Sequence, residues 1–130
     1  MKQIGIISDN KSFFKKSLII KELSENYLDC IVDLGTYDDV TEVDFESLGN
    51  KAANFINSSE NNYCLTLDLS GNGISMFANK HKNINGEVIF NEEVLDEAFR
   101  SEIRLFCFTS TLHTENLIAI FHKLITKILA

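Results

Sequence analysis

The sequence predicts an α/β protein: a three-layer α/β/α sandwich around a five-stranded, mostly parallel sheet, of Rossmann-like or flavodoxin-like type. Three observations carry this. Short apolar runs alternate with segments of helical spacing five times over. The strand-like runs Ile4-Gly5-Ile6-Ile7 and Leu105-Phe106-Cys107-Phe108 are nearly continuous in apolar residues, as strands covered on both faces require. The 130 residues show no internal repeat and no linker, so one domain spanning 1–130 is expected.

Taken in order, Lys2 to Ser8 reads as the first strand and ends at Ser8-Asp9-Asn10. From Lys11 to Glu25 apolar residues fall three or four apart, with Phe14 and Leu18, Ile19 and Leu23, and Ile20, Leu23 and Tyr27 marking a helix that begins straight after Asp9. Cys30 to Leu34 is a second strand, stopped by the loop Gly35-Thr36-Tyr37-Asp38-Asp39. Thr41 with Asp44 three residues on resembles a capping box, and Leu48, Ala52, Phe55 and Ile56 form the buried stripe of a second helix. Tyr63 to Asp68 is a third strand that runs through Ser70-Gly71-Asn72-Gly73 into a third helix. Gly86 to Phe90 is a shorter fourth strand, and Asn91 followed by Glu92 and Glu93 caps a helix reaching about Arg100. Arg104 to Thr109 is the fifth strand, and Leu117, Phe121, Leu124, Ile125 and Ile128 mark the apolar face of the last helix. The alternation leaves the strand order open.

Composition narrows the partners. A net charge of -7 argues against a phosphate-backbone surface, so no nucleic acid is expected. No apolar run is long enough to cross a membrane, and the chain enters a strand-like run at once without a signal-peptide pattern, so no membrane partner and a cytoplasmic location are expected. Cys30, Cys64 and Cys107 are widely spaced in apolar runs and read as buried free thiols, while His81, His113 and His122 are too scattered for a metal site. No cofactor and no metal are expected.

The residues placed to do chemistry are those at strand ends, where a parallel sheet opens its crevice. Asp9 ends the first strand and Asp68 the third, and two carboxylates on that edge can divide acid and base roles. Burial of Asp68 in an apolar strand suits a general base abstracting a proton next to a carbonyl. For Asp9, capping of the first helix is an equal reading. Ser70-Gly71-Asn72-Gly73 leads into a helix, and its N-H groups are placed to hold an oxyanion, although a tight structural turn would use the same residues. The pattern matches neither a dinucleotide loop nor a phosphate loop. Lys11, Lys15, Lys16, Lys80 and Lys82 flank the two strand ends and read mostly as solvated helix lysines.

Most of the chain resembles the type B ribose-5-phosphate isomerases and the related galactose-6-phosphate isomerase subunits. The resemblance is carried in order by Ile7-Ser8-Asp9, Val32-Asp33-Leu34-Gly35-Thr36-Tyr37, Val43-Asp44-Phe45 and Ser70-Gly71-Asn72-Gly73 through Ala78-Asn79-Lys80. It implies a Rossmann-like dimer or tetramer with active sites between subunits, and metal-free aldose-ketose isomerisation of a sugar phosphate through an enediol. On this resemblance Asp68 stands where one branch keeps a catalytic cysteine and would be the base. Ser70, Gly71 and Gly73 match the loop that holds the enediolate, with Asn72 between them. Asp9 matches an aspartate that binds substrate, and Asn10 takes the place of the histidine that commonly follows.

Other features of that family are changed. Ile74 replaces the second branch's base glutamate, Phe45 replaces a tyrosine, and Ser101-Glu102-Ile103 stands where a His-Asn pair opens the sugar ring. The arginine-bearing C-terminal tail has no counterpart. Asp68, Phe45 and Asn10 resemble the A subunit of galactose-6-phosphate isomerase, which works beside a B subunit. The resemblance therefore implies a diverged subunit with an incomplete active site, paired as a homodimer or with a related chain and taking a sugar phosphate. The rival expectation is a non-catalytic structural, regulatory or metabolite-binding protein on the same scaffold.

Overall fold

The computed structural model describes residues 1–130 and shows five strands and five helices in strict alternation. Strands β1 (Gln3–Ser8), β2 (Ile31–Asp33), β3 (Asn62–Asp68), β4 (Glu87–Val88) and β5 (Leu105–Thr109) form one sheet in the order β2-β1-β3-β5-β4. Every neighbouring pair is parallel. The strands match the expected ones, with β2 and β4 shorter than the apolar runs that mark them.

Side-chain alternation sorts the core into two layers. Ile4 and Ile6, Leu65 and Leu67, and Phe106 and Phe108 face one side. There they meet α1 (Phe13–Tyr27), α4 (Glu92–Arg100) and α5 (Thr114–Leu129) through Ile19, Leu23, Leu95, Leu117, Phe121 and Leu124. Ile7, Cys64, Leu105 and Cys107 face the other side, under Leu48, Ala52 and Ile56 of α2 (Phe45–Asn57) and Ile74 and Ala78 of α3 (Gly73–Ala78). The three cysteines are free and buried, and desolvation pushes the Cys107 thiol up to about 12. No helix is long and apolar enough to cross a membrane.

This winding fixes where a site belongs. From β1 the chain crosses to β2 by α1 on one face, and from β3 it crosses to β4 by α3 on the other. The carboxyl ends of β1 and β3 are therefore the point where the crossovers part, and a crevice opens there.

Two local expectations change. Helix α2 is capped by Asp44, whose carboxylate accepts the Ser47 N-H at 2.7 Å, rather than by a box built on Thr41. Thr41 instead closes the preceding turn, its N-H at 2.7 Å and hydroxyl at 3.1 Å from the Asp38 carboxylate. In α1, Phe14 and Leu18 are 62% and 53% exposed, and the buried face is Lys16, Ile19 and Leu23.

Helices α2 and α3 approach closely because Gly49 has no side chain. A Cβ there would lie 2.6 Å from the Phe77 Cβ and 2.7 Å from the Ala78 nitrogen. That contact seats the short helix following the β3 loop.

Candidate functional site

A cleft of about 700 Å³ lies at the switch point, lined by Asp9, Asn10 and Lys11 after β1, Leu69 and Ser70 after β3, and Glu42 to Phe45 at the start of α2. Three of the sequence-predicted residues thus share it: Asp9, Asn10 and Ser70. Phe45 forms part of the wall and packs over the loop, since a Cβ on Gly73 would fall 2.9 to 3.0 Å from its ring. The Phe45 ring thus fills space that a side chain at Gly73 would need.

Asp9 is only 5% exposed. Its Oδ1 accepts the Ser12 N-H at 2.9 Å, capping the single 3-10 turn Asn10–Ser12 that leads into α1. Asp9 thus caps the turn ahead of α1, and it also lines the cleft. Asn10 donates from Nδ2 to the Asp39 carbonyl at 3.3 Å, which ties the β1 end to the loop after β2.

Asp68 is fully buried and turned toward the loop that follows it. Its Oδ1 accepts the Gly71 N-H at 2.7 Å, the Ser70 hydroxyl at 3.0 Å and the Gly73 N-H at 3.4 Å. Its Oδ2 accepts the Ile74 N-H at 3.1 Å. Residue 71 must be glycine for this turn, with φ at 81° and the backbone of Thr109 3.2 Å from where a Cβ would stand. Thr109 braces the loop from β5, its hydroxyl donating to the Leu69 carbonyl at 2.6 Å. Asn72 is exposed, and its Oδ1 lies 2.9 Å from the Ser70 hydroxyl.

The charges at the cleft are mostly negative. Asp9, Glu42 and Asp44 line it against one cation, Lys11. The Ser47 N-H holds the Asp44 carboxyl below the usual carboxylate range, so Asp44 keeps its charge. Of the five flanking lysines, Lys11, Lys80 and Lys82 are exposed as expected, but two are not free. Lys15 donates to the Ser110 and Leu112 carbonyls. Lys16 is fully buried, its Nζ 2.6 Å from both Asp33 Oδ1 and the Thr36 carbonyl. Burial lowers the Lys16 pKa below its ordinary value, against the opposing pull of Asp33. Its position on the Ile19 and Leu23 face was a sequence signal that it would be buried.

No His, Cys, Asp or Glu cluster of three converges as a metal donor set. His81 bonds Asn50 at 2.7 Å and His122 bonds Tyr27 at 3.0 Å, on separate parts of the surface.

The doubly wound sheet with a cleft at its switch point defines an α/β protein that offers a ligand hydroxyl, carboxylate and loop groups on one edge. The family model described as Ribose/Galactose Isomerase matches residues 4–123, and the chain belongs to that family. Its fold is shared with ribose-5-phosphate isomerase B of Clostridium thermocellum, at a TM-score of 0.85 and 23% identity over 95% of this chain and 83% of that one. The Thermotoga maritima enzyme matches at a TM-score of 0.84 and 21% identity, over 95% and 86% of the two chains. The Mycoplasma genitalium enzyme, whose structure carries bound ribulose-5-phosphate, matches at 0.81 and 22%, over 95% and 82%. No curated protein matches the sequence.

Proposed function

We propose that this single-domain chain is a sugar-phosphate isomerase subunit carrying an incomplete active site, nearest in its site residues to the A subunit of galactose-6-phosphate isomerase. It acts in a hetero-oligomer in which a related chain supplies what its own cleft lacks. The observation that carries this reading is the lining of the cleft. Asp9, Asn10 and Ser70 supply hydroxyl-binding groups of the kind a sugar needs, but three carboxylates surround the single cation Lys11. A phosphate monoester brings close to two negative charges, and its usual partner is an arginine fork. None lines this cleft, so phosphate binding and ring opening fall to the other chain.

Within that assembly Asp68 is the residue for proton transfer between C1 and C2, and Ser70, Gly71 and Gly73 stabilise the enediolate. Asp68 reaches a substrate only by giving up its present donors. That requirement favours a second reading, a non-catalytic subunit that binds a metabolite or organises an assembly on the same scaffold.

The test is turnover of ribose 5-phosphate and galactose 6-phosphate to their ketoses, by the chain alone and mixed with a related family member. The subunit reading expects none alone and turnover in the mixture, abolished by Asp68→Asn in this chain. Turnover that survives Asp68→Asn removes that residue from the chemistry. No turnover in either setting leaves the second reading.

A further inference from the structure

We propose that a second pocket, at the amino edge of the sheet, binds a free α-amino acid with an aliphatic side chain. It lies at the opposite end of the strands from the cleft, and its chemistry is independent of any isomerase activity.

The pocket encloses about 280 Å³ where the end of α2, the loop before β4 and the segment joining α4 to β5 meet. Ligand pockets run from about 300 to 1,000 Å³, so this one suits a small molecule. Ile56, Ile84, Ile103 and Leu105 give it an apolar wall, and all but Ile103 are buried. Its polar rim carries the Arg104 guanidinium, the Glu102 carboxylate and the amides of Asn83 and Asn85. The loop bearing the two asparagines is fastened on both sides. Asn57 Nδ2 donates to the Lys82 carbonyl at 3.2 Å, and Asn79 Oδ1 accepts the Gly86 N-H at 2.6 Å. The walls are therefore set before a ligand arrives.

Arg104 is held by one nitrogen only. Its Nη1 donates to the carbonyls of Ile56 at 3.1 Å, Ser59 at 2.8 Å and Asn62 at 3.1 Å, closing the carboxyl end of α2. The Nε and Nη2 hydrogens have no acceptor in the protein, and they form the parallel pair that grips a carboxylate with two hydrogen bonds. Glu102 stands two residues away, yet neither residue enters any of the chain's ion pairs. Opposite charges on one rim that do not neutralise each other suit a ligand that carries both. An α-amino acid sets its carboxylate on Arg104, its ammonium on Glu102 and its side chain on the isoleucine wall.

The test is an NMR titration of the whole chain with L-leucine, alongside isovalerate and isoamylamine, which carry one of its charges each. Leucine should shift the Arg104 Nε-H and the backbone amides of Asn83, Asn85 and Glu102 saturably, while those of Ser70 and Gly71 stay fixed. Isoamylamine, without the carboxylate, should bind about tenfold more weakly, and isovalerate, without the ammonium, about fivefold. Arg104→Lys keeps the charge but loses the fork, and should weaken leucine about tenfold. Should that variant fail to fold, Glu102→Gln decides, since residue 102 is exposed: it should weaken leucine about fivefold without weakening isovalerate. No saturable leucine shift, isovalerate binding as tightly as leucine, or leucine binding unchanged in Glu102→Gln would each overturn the proposal.

Discussion

Asp9 and Asp68 close neighbouring parallel strands, and both are nearly shut off from solvent, at 5% and 0% exposure. Their chemistry differs because their partners differ. Asp9 takes one backbone donor and borders the cleft, whereas Asp68 takes three backbone donors and a hydroxyl and does not line the cleft at all. Burial of a carboxylate is thus no guide to what it does. The count and direction of its donors separate a carboxylate that borders the cleft from one that also holds a loop.

Substitution should separate the two most sharply. Asp68→Ala leaves the Gly71 and Ile74 N-H groups without their acceptor and should cost about 2 to 6 kcal/mol, since each buried donor left unsatisfied costs about 1 to 3 kcal/mol. Urea unfolding measures it, and a loss under 1 kcal/mol would erase the distinction. Next in size is Gly49→Ala, which tests whether the loop depends on the seating of α3. Its Cβ would strike the α3 backbone, and overpacking of this kind costs about 1 to 3 kcal/mol. The amides of residues 71 to 74 should shift with it, while those near Asp9 should not.

Asp9→Ala removes one cap and should cost only about 1 kcal/mol by the same urea measurement. The last test concerns Lys16, the buried cation on the Asp9 side of the cleft. Its pKa in the folded protein lies below 10.5, chiefly from desolvation, so in the window between the two values the unfolded chain holds a proton that the folded one has released. Wild type should therefore gain stability relative to Lys16→Met as pH rises through that window toward 10.5. A flat difference would mean that the ammonium pays no desolvation cost.

Sequence showed the scaffold clearly, because the period of the apolar residues changes from strand to helix at each junction. The Ile4 to Ile7 run and the Leu117 to Ile128 stripe each report a covered surface directly. Strand ends were legible too, and Asp9, Asn10 and Ser70 do meet at one cleft. What sequence could not carry was direction. Nothing in Asp68-Leu69-Ser70-Gly71 says that the carboxylate folds back onto its own loop, because that depends on the positive φ at Gly71 and on Thr109 bracing from another strand. Lys16 misled for a related reason: its charge suggested solvent, yet Asp33 and the Thr36 carbonyl compensate it inside. Phe14 and Leu18 kept helical spacing but lie on the outer side of α1.

The incompleteness of the cleft is tested most directly by calorimetry on the chain alone, comparing ribose with ribose 5-phosphate and galactose with galactose 6-phosphate. With Asp9, Glu42 and Asp44 facing one lysine, the phosphate should add no affinity in either pair. Tenfold tighter binding of either phosphorylated sugar, about 1.4 kcal/mol, would contradict the half-site account and place a phosphate clamp within this chain.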